Sequence, residues 1–221
     1  MWIGIGGFFD STLIQIGTEQ DSIQGHSEYS AWIEFLPQNS ITIENMTISP
    51  GDQIDASIRL TDAFFNQWSI SIKDVTSDQA YTGSFFYTSS QLSAEWIVER
   101  PDITSPRSRG TFADLADIGP LTFENCRASI GDETGAINNY PNVQSTMYEI
   151  IDNTTSSGSM QLAAVSDLLD NGSSFTVETS PSAIPEMSAL ILITSMVGIS
   201  LIATIIKKRA LLFQKNFQKH S

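Results

Sequence analysis

The 221-residue sequence is short of the side chains on which most reactive sites depend. It has a single cysteine, Cys126, so no intrachain disulfide and no cysteine metal cluster can form. It has two histidines, His26 and His220, the second lying in a basic tail. That leaves no material for a His-dependent serine or cysteine triad, or for a zinc site of the HExxH kind. Bases are scarce as well, with 11 Lys and Arg against 25 Asp and Glu for a net charge of −14. Five of those bases, Lys207, Lys208, Arg209, Lys215 and Lys219, fall in the last fifteen residues, so residues 1–206 hold 6 bases against 25 acids, a net of −19. Such a surface repels phosphates, which excludes a nucleic-acid partner and suits a salty or acidic exterior. The glycine run at residues 4–7 (GIGG) has no helical pattern after it, so it is not a nucleotide loop. No metal and no cofactor are expected. The working side chains are therefore carboxylates and amides.

Residues 189–206 (ALILITSMVGISLIATII) contain no charge at all. As a helix rising 1.5 Å per residue they span about 27 Å, close to the hydrocarbon thickness of a bilayer. Thr194, Ser195, Ser200 and Thr204 can satisfy their hydroxyls on the helix backbone. Lys207-Lys208-Arg209 follow at once, and Pro185-Glu186 stand just before. The positive-inside rule then predicts a single-pass cell-membrane protein, with the preceding domain extracellular and the C-terminus cytoplasmic. The block 184–187 (IPEM), apolar segment and basic cluster also resemble prokaryotic C-terminal sorting signals, although Met187 departs from that pattern. An exported domain needs a leader, and the opening residues offer neither a basic nor an apolar leader region. The expectation is that further chain precedes residue 1.

Residues 1–178 read as strand throughout. Ile54, Ala56, Ile58 and Leu60 alternate with polar residues, as do Trp68, Ile70 and Ile72, which is the period of half-buried strands. Residues 49–52 (SPGD) form a turn signal. Many short strands, with no convincing amphipathic helix before residue 160, predict an antiparallel β-sandwich. Residues 102–110 and 153–159 read as loops. Residues 163–178 read as a short turn and a closing strand at 174–177. The expected division is a β-sandwich over 1–178, a linker over 179–188, a transmembrane helix over 189–206 and a basic cytoplasmic tail over 207–221.

Three segments set polar residues opposite an apolar face: 12–17 (TLIQIG), 29–37 (YSAWIEFLP) and 93–101 (SAEWIVERP). Ile14 and Ile16 oppose Leu13, Gln15 and Gly17; Ala31, Ile33 and Phe35 oppose Trp32, Glu34 and Leu36; Ala94, Trp96 and Val98 oppose Glu95, Ile97 and Glu99. If the apolar faces pack between two sheets, Gln15, Glu34 and Glu99 emerge on outer faces beside Trp32. Together with residues 2–7 (WIGIGG) and, more weakly, 115–126 (LADIGPLTFENC), these blocks resemble the glutamic peptidases, or eqolisins (peptidase family G1). The likeness is to a prokaryotic member lacking its first strands and bearing a C-terminal membrane anchor.

The resemblance implies a concanavalin A-like, lectin-like sandwich that hydrolyses peptide bonds in acid. Glu99 would be the general base and acid, Gln15 the oxyanion donor, and Trp2, Trp32 and Glu34 the lining that binds substrate or orients the pair. The implied partners are a protein or peptide substrate and, through the tail, a membrane. The residue types suit the chemistry, because a carboxylate can take a proton from water and return it to the leaving amine, while an amide donates without needing charge. A free Glu, with a pKa of about 4.3, fits acid conditions. Two positions depart from the family: Gly6 stands where an acidic residue is found, and Thr18-Glu19 replace an aromatic-Asp pair. The alternative is a non-catalytic, lectin-like surface module that uses the same aromatic groove for binding.

Overall fold

The computed structural model describes residues 1–23, 26–100, 115–139, 150–152 and 160–179. The chain divides into two compact units, Met1–Val98 and Glu99–Ser221. The linker, the 189–206 segment, the basic tail and the two expected loops at 102–110 and 153–159 lie outside the described residues.

The first unit contains eight strands: β1 (Trp2–Gly6), β2 (Leu13–Ile23), β3 (His26–Phe35), β4 (Ile41–Thr42), β5 (Ile54–Asp62), β6 (Gln67–Asp74), β7 (Gln79–Phe86) and β8 (Ala94–Ile97). They form a five-stranded sheet in the order β4-β3-β2-β1-β8 and a three-stranded sheet in the order β5-β6-β7, every pairing antiparallel. The alternation in the sequence decides what lies between the sheets. Ile14, Ile16, Ala31, Ile33 and Phe35 come from the larger sheet; Trp68, Ile70 and Ile72 come from the smaller one; Ile43, Met46 and Ile48 complete the buried cluster. Burying each large aliphatic side chain contributes about 1.5–3 kcal/mol, which is what holds the sheets face to face. The 49–52 turn forms as expected, with the Asp52 N–H donating to the Ser49 carbonyl and the Ser49 N–H to the Asp52 carboxylate.

The second unit contributes β9 (Leu121–Phe123), β10 (Arg127–Ile130), β11 (Glu133–Ala136), β12 (Ile150–Asp152), β13 (Met160–Val165) and β14 (Phe175–Thr179). These make a four-stranded antiparallel sheet, β12-β13-β14-β9, and a separate β10-β11 hairpin. The closing strand expected at 174–177 appears as β14. Residues 163–165, expected in a turn, instead finish β13, because Ala163, Ala164 and Val165 pair with Thr179, Glu178 and Val177. Single turns of 3₁₀ helix occur at Ile137–Asn139 and Asp170–Gly172. The described residues thus form an all-β protein, and none of their helices is long and apolar enough to cross a membrane.

Candidate active site

The register of the larger sheet builds one face row by row. Gln15 on β2 lies directly opposite Glu34 on β3 and opposite Gly4 on β1, and Gly4 in turn lies opposite Glu95 on β8. The next row reads Ile97, Trp2, Gly17, Trp32 and Thr42. Partners directly across a ladder share a face, so Trp2, Gln15, Trp32 and Glu34 come together on the side of the sheet away from the main core.

That face is drier than an outer face is expected to be. Gln15 is only 5% exposed, Trp2 7% and Trp32 8%. The sequence reading, which set Gln15 on an outer face, missed the reason. Leu13, Trp2 and Trp32 form a second buried apolar cluster, with Leu36 and Ile97 packed against it. Gln15 sits within this ring. The Trp2 ring lies over Gly4, its Cζ3 only 2.7 Å from where a Cβ would stand. Gly17 makes the same crowding possible one row on: a Cβ there would come within 2.0 Å of the Met1 carbonyl oxygen and 2.6 Å of Trp2 Cβ.

Inside the ring the Gln15 Nε2 donates to the Glu34 carboxylate. The other end of the amide, Oε1, is buried and has no hydrogen-bond partner among the described residues. A buried amide oxygen left in this way is costly, and it marks a place where a donor is wanted. Two rows along the same face the Ser30 hydroxyl donates to Glu19, the residue that stands in the family's Asp position. On the other flank Ser93 Oγ lies 2.8 Å from Glu95 Oε1 and 3.0 Å from the Gly6 carbonyl oxygen. Glu95 and the aliphatic members of the ring were not singled out from the sequence as site residues, although their parity with Gln15 and Trp32 was the signal.

Gly6 is held at φ +85°, and a Cβ added there would fall 2.3 Å from the Thr12 carbonyl oxygen. The backbone therefore has no room here for a side chain, including the acidic one that the resemblance would set at this position. Glu99 lies two residues beyond the end of β8, exposed, at the first position of the second unit. Among the described residues no group of three or more His, Cys, Asp or Glu side chains could hold a metal ion.

Among the described residues, two carboxylates away from this face serve turns and are held low by them. Asp10 is held below the usual carboxylate range first by the Thr12 hydroxyl, then by Ser90 and the Thr12 N–H. Asp74 is held low chiefly by the Ser77 hydroxyl and also by the Ser77 and Thr76 N–H groups, against the desolvation of its buried position. Burial pushes the Cys126 thiol up to about 12, which makes it a poor nucleophile.

The sequence profile of the Peptidase A4 family matches residues 1–178. The chain belongs to the Peptidase A4 family. It is 31% identical over 138 residues to aspergillopepsin-2 of Aspergillus niger, covering 60% of this chain and 46% of that protein. It is 30% identical over 142 residues to scytalidopepsin B of Scytalidium lignicola, covering 60% of this chain and 52% of that one. The chain thus spans about half the length of these relatives. Among solved structures it resembles the aspergilloglutamic peptidase of Aspergillus niger, with a TM-score of 0.64 and 27% identity over 81% of this chain and 96% of that one. It shares the fold of scytalido-glutamic peptidase with a transition state analog inhibitor, at a TM-score of 0.60 and 20% identity over 81% and 82% of the two chains.

Proposed function

We propose that this Peptidase A4 chain is a membrane-anchored, outward-facing acid endopeptidase that cuts peptide bonds with Glu99 and Gln15. The Glu99 carboxylate takes a proton from water as the water oxygen attacks the scissile carbonyl carbon. The carbonyl π electrons move to its oxygen, and that oxyanion is met by a Gln15 Nε2–H. Protonated Glu99 then delivers the same proton to the departing amine nitrogen as the C–N bond breaks, leaving an acid and an amine. Trp2, Trp32 and Glu34 line the groove that takes the peptide. The 189–206 segment holds the domain outside the cell membrane, with residues 207–221 inside.

The observation that carries this reading is the Gln15 carboxamide. It is almost wholly withdrawn from water, ringed by Trp2, Leu13 and Trp32, and anchored by one N–H to Glu34. A surface glutamine gains nothing from such a setting, whereas an oxyanion donor gains strength where water is excluded. The family match over residues 1–178 supports the same reading.

The test is cleavage of an unfolded protein at acid pH by the full chain in detergent. Chelators and serine or cysteine reagents should not inhibit it. Glu99→Gln should abolish cleavage, since neither base nor acid remains. Gln15→Ala should lower kcat by roughly 10²–10³. Undiminished cleavage in Glu99→Gln would reject the mechanism. A wild-type chain that is folded but inert would favour the lectin-like binding module, a reading to which the missing acid at Gly6 lends weight.

A further inference from the structure

We propose that one end of the first unit is a bilayer-docking surface, which sets Phe9, Phe64, Phe65 and Phe86 into the headgroup layer of a membrane. The inference rests on the anchored reading above and adds a second contact, made by the domain itself.

Four phenylalanines converge on that end. Phe64 and Phe65 occupy the tight turn between β5 and β6, where Gly, Asn, Asp or Ser is the usual choice. Phe86 lies across the ladder from Gln67, the first residue after that turn. Phe8 and Phe9 sit in the loop between β1 and β2. Hydrogen bonds tie these segments together. The Tyr87 N–H donates to the Asn66 carbonyl, and the Tyr87 hydroxyl accepts from the Leu13 N–H and donates to the Leu36 carbonyl. The Ser90 N–H donates to the Thr12 hydroxyl. Yet Phe9, Phe64, Phe65 and Phe86 are between 50% and 85% exposed, with Leu92 open beside them. Single exposed apolar residues are ordinary; four aromatic ones on one end of a domain are not.

The end is also built to be uncharged and stiff. Residues 7–12, 61–67 and 86–93 hold no Lys or Arg and only two acids, Asp10 and Asp62. Both carboxylates turn back into their own loops. Asp10 accepts from the Thr12 N–H and hydroxyl, and Asp62 from the Phe64 and Phe65 N–H groups. The rings pair edge to face, Phe8 with Phe9 and Phe64 with Phe65, each at 4.8 Å between centroids. At the other end of the smaller sheet the turns at 49–52 and 75–78 present Asp52 and Asp78 instead.

Two facts favour lipid over a second copy of the chain. At about 200 Å² per aromatic side chain, the four rings offer on the order of 500 Å². That falls short of the roughly 800 Å² per partner of a stable protein interface. The uncharged 189–206 run also supplies the bilayer. The ten steps from Thr179 to Ala189 span at most about 35 Å, so a weak contact made by a tethered domain is still populated. Gln15 follows Leu13 by two residues, about 7 Å along the strand, so docking holds the candidate active site close above the lipid.

The test uses the full chain in neutral phosphatidylcholine vesicles. Cys126 is buried and un-ionised, so a thiol placed at exposed Ala63 (Ala63→Cys) takes an environment-sensitive fluorophore alone. Val75→Cys labels the opposite turn as the control. Emission at 63 should shift to the blue and be largely lost to nitroxide-bearing lipid, while emission at 75 stays unchanged. Phe64→Ser with Phe65→Ser should abolish the quenching at 63 with tryptophan emission unaltered, and Phe64→Leu with Phe65→Leu should keep it.

Flotation separates this inference from the anchor. A chain that floats with the vesicles while its label at 63 is no better quenched than at 75 overturns the docking end and leaves the anchor standing. A wild type that floats and a double Ser variant that does not would uphold the docking end and reject the anchor. A wild type that does not float rejects both. A label at 63 that shifts to the blue but ignores the lipid quencher is covered by protein, a second copy or a substrate, and overturns the proposal as well.

Discussion

At the scale of the residue, the site depends as much on what is absent as on what is present. Gly17 lets β1 and β2 close up beneath Trp2, and its Cβ position is already occupied by backbone. A Gly17→Ala substitution should therefore cost about 3 kcal/mol, the upper end for overpacking, because the nearest atoms are not a flexible side-chain tip. Urea unfolding followed by tryptophan emission would measure it. Gln15→Ala should shift the same midpoint less, because losing its hydrogen bond to Glu34 is offset in part by removing the unsatisfied Oε1, yet it should cost catalysis. The sequence showed which residues share a face, because alternation alone puts Trp32 and Glu34 opposite Ile33, and Gln15 opposite Ile14. It could not show the pairing of Gln15 with Glu34, nor that Glu95 is the residue across Gly4. Both depend on register, and a one-residue slip rewrites every row.

At the scale of the element, strand existence was legible and strand length was not. Residues 13–17 of the 12–17 motif open an eleven-residue strand, because Gln20, Asp21 and Ser22 pair with Tyr29, Glu28 and Ser27 without needing an apolar alternation. The 93–101 motif yields only the four residues Ala94–Ile97, because β1 offers partners only as far as Trp2. The β6–β7 turn makes a different point. Asp74 is fully buried there, and its carboxylate accepts from the Thr76 N–H at 2.8 Å, the Ser77 N–H at 3.2 Å and the Ser77 hydroxyl. Its folded pKa lies below the unfolded value, so the folded state binds fewer protons there. The stabilisation is fully present above the unfolded Asp value of about 3.9, and is lost as pH falls through the folded value. Asp74→Asn should lower stability at neutral pH and flatten the acid end of a plot of urea midpoint against pH. The exposed Lys73–Asp78 pair in the same turn, at 2.5 Å, should contribute little, since both partners are open to water.

At the scale of the whole molecule, charge and hydropathy divide the chain more sharply than strand pattern does. The acidic 1–206 stretch and the basic last fifteen residues flank or contain one uncharged run. Under the proposed topology, protease added to intact cells should remove the domain and spare an epitope placed after Lys219. A protected domain would reverse the orientation. The all-β class was legible because turn signals and period-2 runs recur from end to end. The division at residue 98 was not, because family likeness runs unbroken across it from 1 to 178.

That division separates two natural reporters. All four tryptophans, Trp2, Trp32, Trp68 and Trp96, fall in Met1–Val98, while the one thiol, Cys126, falls in the other unit. The thiol is 2% exposed and poorly ionised, so a maleimide should ignore it until its own unit opens. One sample can thus be read twice in a single titration, by emission for the first half and by labelling for the second. The first unit buries an eleven-residue cluster between two sheets, whereas the described strands of the second run to between three and six residues. Labelling should accordingly begin at lower urea than the emission shift. A shared midpoint would mean instead that both halves melt as one cooperative body.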